Sequence, residues 1–179
     1  MATRSLSGVR SADLASADGI LQEVRYTQSA QIRILPMTKP LPTSIFDNLN
    51  MPPISKLLGW RLIDLKPEEG VIKIGFEGRE EFCNPTGFIQ GGILSAMLDD
   101  TMGPAAFIMT GGKLYTPTIT MTVNFIAPGK VGAFECEAKV VQMGKTVVFV
   151  EARLMDDAGT LVATATSTSR LVETSKAIK

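Results

Sequence analysis

Gly91 and Gly92 open an apolar run, Ile93-Leu94-Ser95-Ala96-Met97-Leu98, that ends in the paired acids Asp99 and Asp100. If the run is a helix, two glycines at its start let a ligand come close to backbone N–H groups that have no partner inside the helix. The positive end of the helix dipole favours negative charge at that point. A thioester or ester oxygen turns negative as its carbonyl is attacked, so such amides can act as an oxyanion hole. A carboxylate two turns further on could activate the attacking water or attack directly. Asn84, in the loop before the glycines, and Gln90, next to them, are polar and uncharged. Each can hydrogen-bond a ligand, and each is equally at home as turn or cap chemistry.

Other chemistries are closed by composition. The 179 residues contain no histidine, which removes Ser-His-Asp and Cys-His hydrolysis, His metal ligation and His acid–base catalysis together. No metal site is expected. Cys83 and Cys136 are too few for a disulfide framework and point to a reduced, cytoplasmic setting. Cys83 lies beside the glycine segment, but with no histidine to activate it the expected role is a small buried apolar residue. Lys+Arg and Asp+Glu both number 18, without the basic excess of a nucleic-acid binder. No uncharged apolar run reaches the roughly 18 residues of a membrane helix. The first ten residues make a poor secretory signal and a weak transit peptide.

The elements that must hold these residues follow from patterning. Residues 1–42 are rich in Ser, Ala and Thr and close on Pro36, Pro40 and Pro42, so they read as an N-terminal extension, partly ordered at best. Residues 43–179, with 45% apolar residues in the whole chain, read as one domain. Within it, Ser44 to Asp47 resembles a helix start and Ile54 to Leu58 a short turn ended by Gly59. Trp60 to Leu65 and Val71 to Phe76 alternate as strands. Gly91 to about Met102 is the helix, with a kink or an end expected at Gly103-Pro104 because Pro104 has no N–H for the Asp100 carbonyl. Four strand-like runs follow, Thr116–Ile126, Gly132–Met143, Thr146–Met155 and Leu161–Val172, separated by links short enough for a four-strand meander. The class is α+β, with the helix lying across one face of an antiparallel sheet.

On the helix, Gly92, Ser95, Ala96, Asp99 and Gly103 share a stripe of small residues, which makes Asp99 the more accessible acid. Phe82, Phe88, Met97, Met102 and Phe107 are the candidate pocket lining. Gly144-Lys145-Thr146 imitates the end of a phosphate-binding loop, but Lys139 stands where that loop needs glycine, and no helix follows. Lys145 is expected in a hairpin turn.

The run Asn84-Pro85-Thr86-Gly87-Phe88-Ile89-Gln90-Gly91-Gly92, followed by Asp99, resembles the hotdog-fold acyl-CoA thioesterases of the phenylacetate-pathway, PaaI-like type. Thr118 to Gly129 looks like that family's next strand and Pro-Gly turn, and Gly144-Lys145-Thr146 like its later turn. The resemblance covers roughly residues 54–171. It implies a hotdog fold, an antiparallel sheet of five to six strands wrapped around one long central helix. It implies hydrolysis of an acyl-CoA to free acid and coenzyme A, with no cofactor beyond the coenzyme A of the substrate. Asp99 takes the place of the general base or nucleophile, the Gly91 N–H that of the oxyanion donor shaped by Gly92, and Asn84 that of the residue orienting water or the carbonyl. Thr118 matches a hydroxyl position near the site, and Lys145 with Thr146 lies toward the coenzyme A phosphates or pantetheine. The site is shared across a homodimer or homotetramer interface, Asp99 of one chain facing Asn84 and Gly91 of the other. The chain departs from the pattern at Gln90, where the family has histidine. That departure and the N-terminal extension motivate an alternative, a non-catalytic acyl-CoA-binding or regulatory hotdog module. A hotdog dehydratase fits poorly, since it needs a His/Asp pair.

Overall fold

The computed structural model describes residues 50–177. The helix start expected at Ser44–Asp47 and the boundary expected near residue 42 lie outside them. Pro53 opens a short helix, α1 (Pro53–Leu57), at the first-turn position where its missing N–H costs nothing. Strand β1 (Arg61–Lys66) pairs antiparallel with β2 (Val71–Gly78). The turn between them ends on Gly70 at φ 64°, where a Cβ would also stand 2.5 Å from the Met109 sulfur, so both backbone and packing call for glycine. Helix α2 then runs Gly91–Met109. A two-residue strand β3 (Leu114–Tyr115) precedes β4 (Thr118–Phe125), β5 (Gly132–Met143), β6 (Val147–Asp156) and β7 (Leu161–Arg170). Strand β8 (Val172–Glu173) returns to pair with β3.

The large sheet is fully antiparallel, in the order β1-β2-β5-β6-β7-β4. Alternation explains which face is covered. Phe134, Cys136, Ala138 and Val140 of β5 are buried, as are Val148, Val150, Ala152 and Leu154 of β6, while Glu135, Glu137, Lys139, Glu151 and Arg153 face outward. Against the buried face lie Leu94, Met97, Leu98, Met102, Ala105 and Ala106 of α2. Each large side chain buried this way contributes about 1.5–3 kcal/mol. This is the hotdog arrangement of six strands around one helix.

Two expectations are corrected. Of the kink or end expected at Gly103-Pro104, the end is overturned, since the helix continues to Met109. The Asp100 carbonyl that Pro104 leaves without its helical donor receives the Trp60 indole N–H at 3.4 Å instead. The meander has three strands rather than four. Strand β4 does not form a hairpin with β5 but pairs with β7 at the far edge. A tight hairpin needs the link's polar groups for its own ladder, and here they are committed elsewhere. The N–H groups of Ile126 and Ala127 both donate to the Val162 carbonyl (2.8 and 3.2 Å), and the Gly129 carbonyl accepts from Ile89 N–H at 2.8 Å. The link is thereby drawn to the loop before α2, and β5 starts beside the end of β2, Gly132 opposite Gly78.

Candidate active site

The loop leading into α2 is built by Asn84. Its side-chain oxygen accepts from Thr86 N–H (2.9 Å), Thr86 Oγ1 (2.6 Å) and Phe88 N–H (3.3 Å), and its own N–H donates to the Phe88 carbonyl at 2.8 Å. The oxygen is thus used as turn chemistry uses it, while the side-chain NH2 has no partner among the described residues and remains available. The Gln90 N–H donates to the Phe82 carbonyl, and its carbonyl accepts from Ile93 and Leu94, fixing the first turn. The Gln90 side chain caps nothing and is exposed.

The N–H groups of Gly91 and Gly92 donate to no group among the described residues, as the start of a helix requires unless something else comes to meet them. Gly91 borders a groove of about 350 Å³ with Asn84, Phe88, Leu94, Phe125 and Ile126. Gly92 is exposed, with open space where a Cβ would stand. Of the expected pocket lining only Phe88 borders this groove. Phe82, in the turn Glu80–Phe82 ahead of α2, and Met97, Met102 and Phe107 of α2 itself are buried core residues instead. Sequence reading missed Phe125 and Ile126, although the alternation of β4 places Phe125 on the helix side.

Asp99 and Asp100 have separate fates. Asp99 is exposed and accepts from Thr118 Oγ1 at 2.9 Å, so a hydroxyl from β4 orients it. Asp100 turns toward α1. Ser55 Oγ donates to its Oδ1 at 3.1 Å, while Oδ2 is buried without a hydrogen-bond partner among the described residues. Burial pushes the Asp100 carboxyl up from 3.8 to about 6; the Ser55 bond opposes this and the charge of Asp99 adds to it. The stripe argument thus picks the freer acid, but the structural partners of the other, Ser55 and Trp60, were missed. The available signal was Pro104, which leaves a carbonyl in search of a donor.

The remaining candidates form a second group. Lys145 and Thr146 occupy the turn between β5 and β6, closed by a Gly144 N–H to Val147 carbonyl bond of 2.9 Å, and both are exposed. In register, Thr118 lies opposite Ser169, and Ser169 opposite Val148. The turn therefore stands at the Asp99 end of the sheet, two strands from Thr118. Asn84, Gln90, Gly91 and Gly92 lie at the other end of β4, beside Phe125. Eight residues at 1.5 Å rise put Asp99 about 12 Å along α2 from Gly91, too far for one reacting centre within one chain.

Cysteine chemistry is absent from both groups. Burial pushes the Cys136 thiol up to about 12 and raises that of Cys83, so neither offers a thiolate at neutral pH. No three His, Cys, Asp or Glu side chains among the described residues cluster as a metal site would require.

Comparison with known proteins gives this geometry a family. Residues 86–163 match the model of the thioesterase superfamily. A Saccharolobus solfataricus protein classed as an esterase is 34% identical over 112 residues, 63% of this chain and 78% of the relative. The crystal structure of a Ralstonia eutropha JMP134 protein, described as a thioesterase related to phenylacetic acid degradation, superposes with a TM-score of 0.66 at 30% identity, covering 68% of this chain and 92% of that one. A Streptococcus mutans UA159 protein bound to acetyl-CoA shares the fold, with a TM-score of 0.57 at 20% identity over 64% of this chain and 89% of the other. This chain belongs to the thioesterase superfamily, with PaaI-like proteins of phenylacetate degradation among its kin, and is a thioester hydrolase.

Proposed function

We propose that the chain hydrolyses an acyl-CoA thioester to a free acid and coenzyme A, at a site completed by two copies of itself. The observation that carries the reading is the pair of unclaimed amides at the start of α2, set beside an apolar groove. The thioester oxygen accepts from Gly91 N–H, with Gly92 leaving room for its approach. Asn84 NH2 orients the carbonyl or the water, and Gln90 shapes the turn. Asp99 of the other chain, oriented by Thr118, takes a proton from water as the water oxygen attacks the carbonyl carbon. The C–S bond then breaks and the thiol leaves with that proton. Direct attack by Asp99 on the carbonyl is the other route open to the same geometry. Lys145 and Thr146 lie toward the phosphates or pantetheine. The reaction drawn this way uses no metal or redox cofactor. The acetyl-CoA bound by the S. mutans relative supports the choice of thiol. Free cysteines fit a cytoplasmic setting, and among the described residues no helix is long and apolar enough to cross a membrane.

Self-association follows from the 12 Å between Asp99 and its own helix start. Among the described residues nothing pairs with the outer edge of β4, which has Thr118 at the Asp99 end and Phe125 at the Gly91 end. A two-fold, antiparallel pairing of β4 with a second β4 brings each Thr118 end to the other chain's Phe125 end, and with it Asp99 to Gly91. The test is substitution of the two acids. Asp99→Asn lowers turnover of a good acyl-CoA about a hundredfold or more, while Asp100→Asn loses far less. Equal losses would sink the assignment.

A further inference from the structure

Phe125 closes β4 and is 55% exposed, although the alternation along β4 puts it in the helix-facing row with Met121 and Val123. That row stands opposite Ser167, Ala165 and Ala163, all buried. The ring does not point idly into solvent. A Cβ on Gly91 would meet the ring's Cζ at 3.1 Å and its two Cε atoms at 3.4 and 3.5 Å, so the far edge of the ring sits over the Gly91 backbone. A side chain at 91 would have to push the ring back by a few tenths of an ångström. Phe88 also lines the groove, with Ile89, Leu94 and the link Ile126–Gly129. Among the described residues Asn84 supplies the one polar side chain there, and none that borders the groove is charged.

These positions bear on which acyl group the enzyme accepts. An oxygen held by the Gly91 N–H puts the carbonyl carbon beside the Phe125 ring, and the next carbons of the acyl chain must run along that ring. An apolar chain replaces water there at no electrostatic cost. A chain ending in an ionised carboxylate finds no cation among the described residues of the groove and would lose hydration unpaired. We propose that Phe125 is a specificity-determining residue, its ring forming the wall on which the acyl chain packs, so that the enzyme selects apolar acyl groups over short and carboxylated ones. The inference rests on the acyl-CoA reading above.

The experiment is thiol release from acetyl-, butyryl-, hexanoyl- and succinyl-CoA by the full chain and by Phe125→Ala and Phe125→Leu, with light scattering on each protein. The native enzyme should favour hexanoyl-CoA over acetyl- and succinyl-CoA. In Phe125→Ala, kcat/KM on hexanoyl-CoA should fall at least about tenfold further than on acetyl-CoA, the scale of discrimination an apolar pocket achieves, while Phe125→Leu keeps most of the preference. Equal losses on all four esters, with or without a change of assembly, would reduce the ring to a structural part and overturn the proposal. So would an unchanged ratio, or a native preference for succinyl-CoA. Failure of the native chain on every ester would instead bring down the acyl-CoA reading, and this inference with it.

Discussion

Two adjacent carboxylates diverge here because one faces solvent and the other is caught between helices. Asp99 is exposed and held by one hydroxyl, while Asp100 is half-buried with one oxygen bonded to Ser55 and the other unpaired. The second environment predicts a pH effect on stability whose sign is unusual for an acid. Most folded carboxylates are stabilised in their charged form, so stability falls on acidification. The Asp100 carboxyl is instead raised from 3.8 to about 6, so the folded state holds its proton longer than the unfolded state does. Its contribution is most favourable below about pH 4 and is lost as pH rises through about 6. Asp100→Asn keeps an acceptor for Ser55 and removes the charge. It should raise stability at pH 7 by about 1–2 kcal/mol, less than the full shift implies because the group is partly hydrated. It should also flatten this part of the profile between about pH 4 and 6. Urea titrations across that range check it, and an unchanged slope in the variant would place the unpaired oxygen in contact with water.

The same residue matters at the scale of the element, through its carbonyl. Pro104 cannot donate to Asp100, yet α2 runs on for another turn and more, and Trp60, just ahead of β1, donates in its place. Trp60→Phe keeps an aromatic ring and removes that donor. The orphaned carbonyl should cost about 1–3 kcal/mol. Pro104→Ala restores a helical N–H for the same carbonyl, so the loss from Trp60→Phe should shrink markedly in that background. A double-mutant cycle of thermal or urea unfolding measures the coupling, and additive effects would refute the substitution of one donor for the other. Elements of this kind also mark how far the chain could be read without coordinates. The alternation of 132–143 gives β5 to the residue, and Gly91-Gly92 marks the start of α2, because both signals are local. The end of α2 and the place of β4 were not legible, since each is decided by a partner distant in sequence, Trp60 for the carbonyl and Val162 for the link after Phe125. The site divides in the same way. Asn84 and the glycines announce themselves by residue type, whereas Phe125 is an ordinary strand residue until the fold lays it on Gly91.

For the molecule as a whole, the decisive fact is that its candidate groups lie at opposite ends of one strand. Asn84 and Gly91 gather at the Phe125 end of β4, and Asp99 with Thr118 at the other, about 12 Å along the helix. On the proposed reading a single chain with this spacing would hold two half-sites and no whole one, and activity would belong to the assembly. Mixing separates this from a site contained in one chain. Asp99→Asn removes the acid and leaves the helix start intact. Gly92→Val meets no atom of the described residues within 4 Å of the added Cβ, yet fills the approach to the amides and leaves the acid intact. Each variant alone should be nearly inactive. Unfolded together and refolded at equal amounts, half of the dimers contain one of each chain. In such a dimer one site has both defects and the other has none. Recovered turnover should therefore approach about a quarter of the native value, with light scattering reporting dimers or larger even-numbered assemblies throughout. If the mixture stays as inactive as its parts while the assemblies form, each site draws its acid and its amides from the same chain, and the shared centre is wrong.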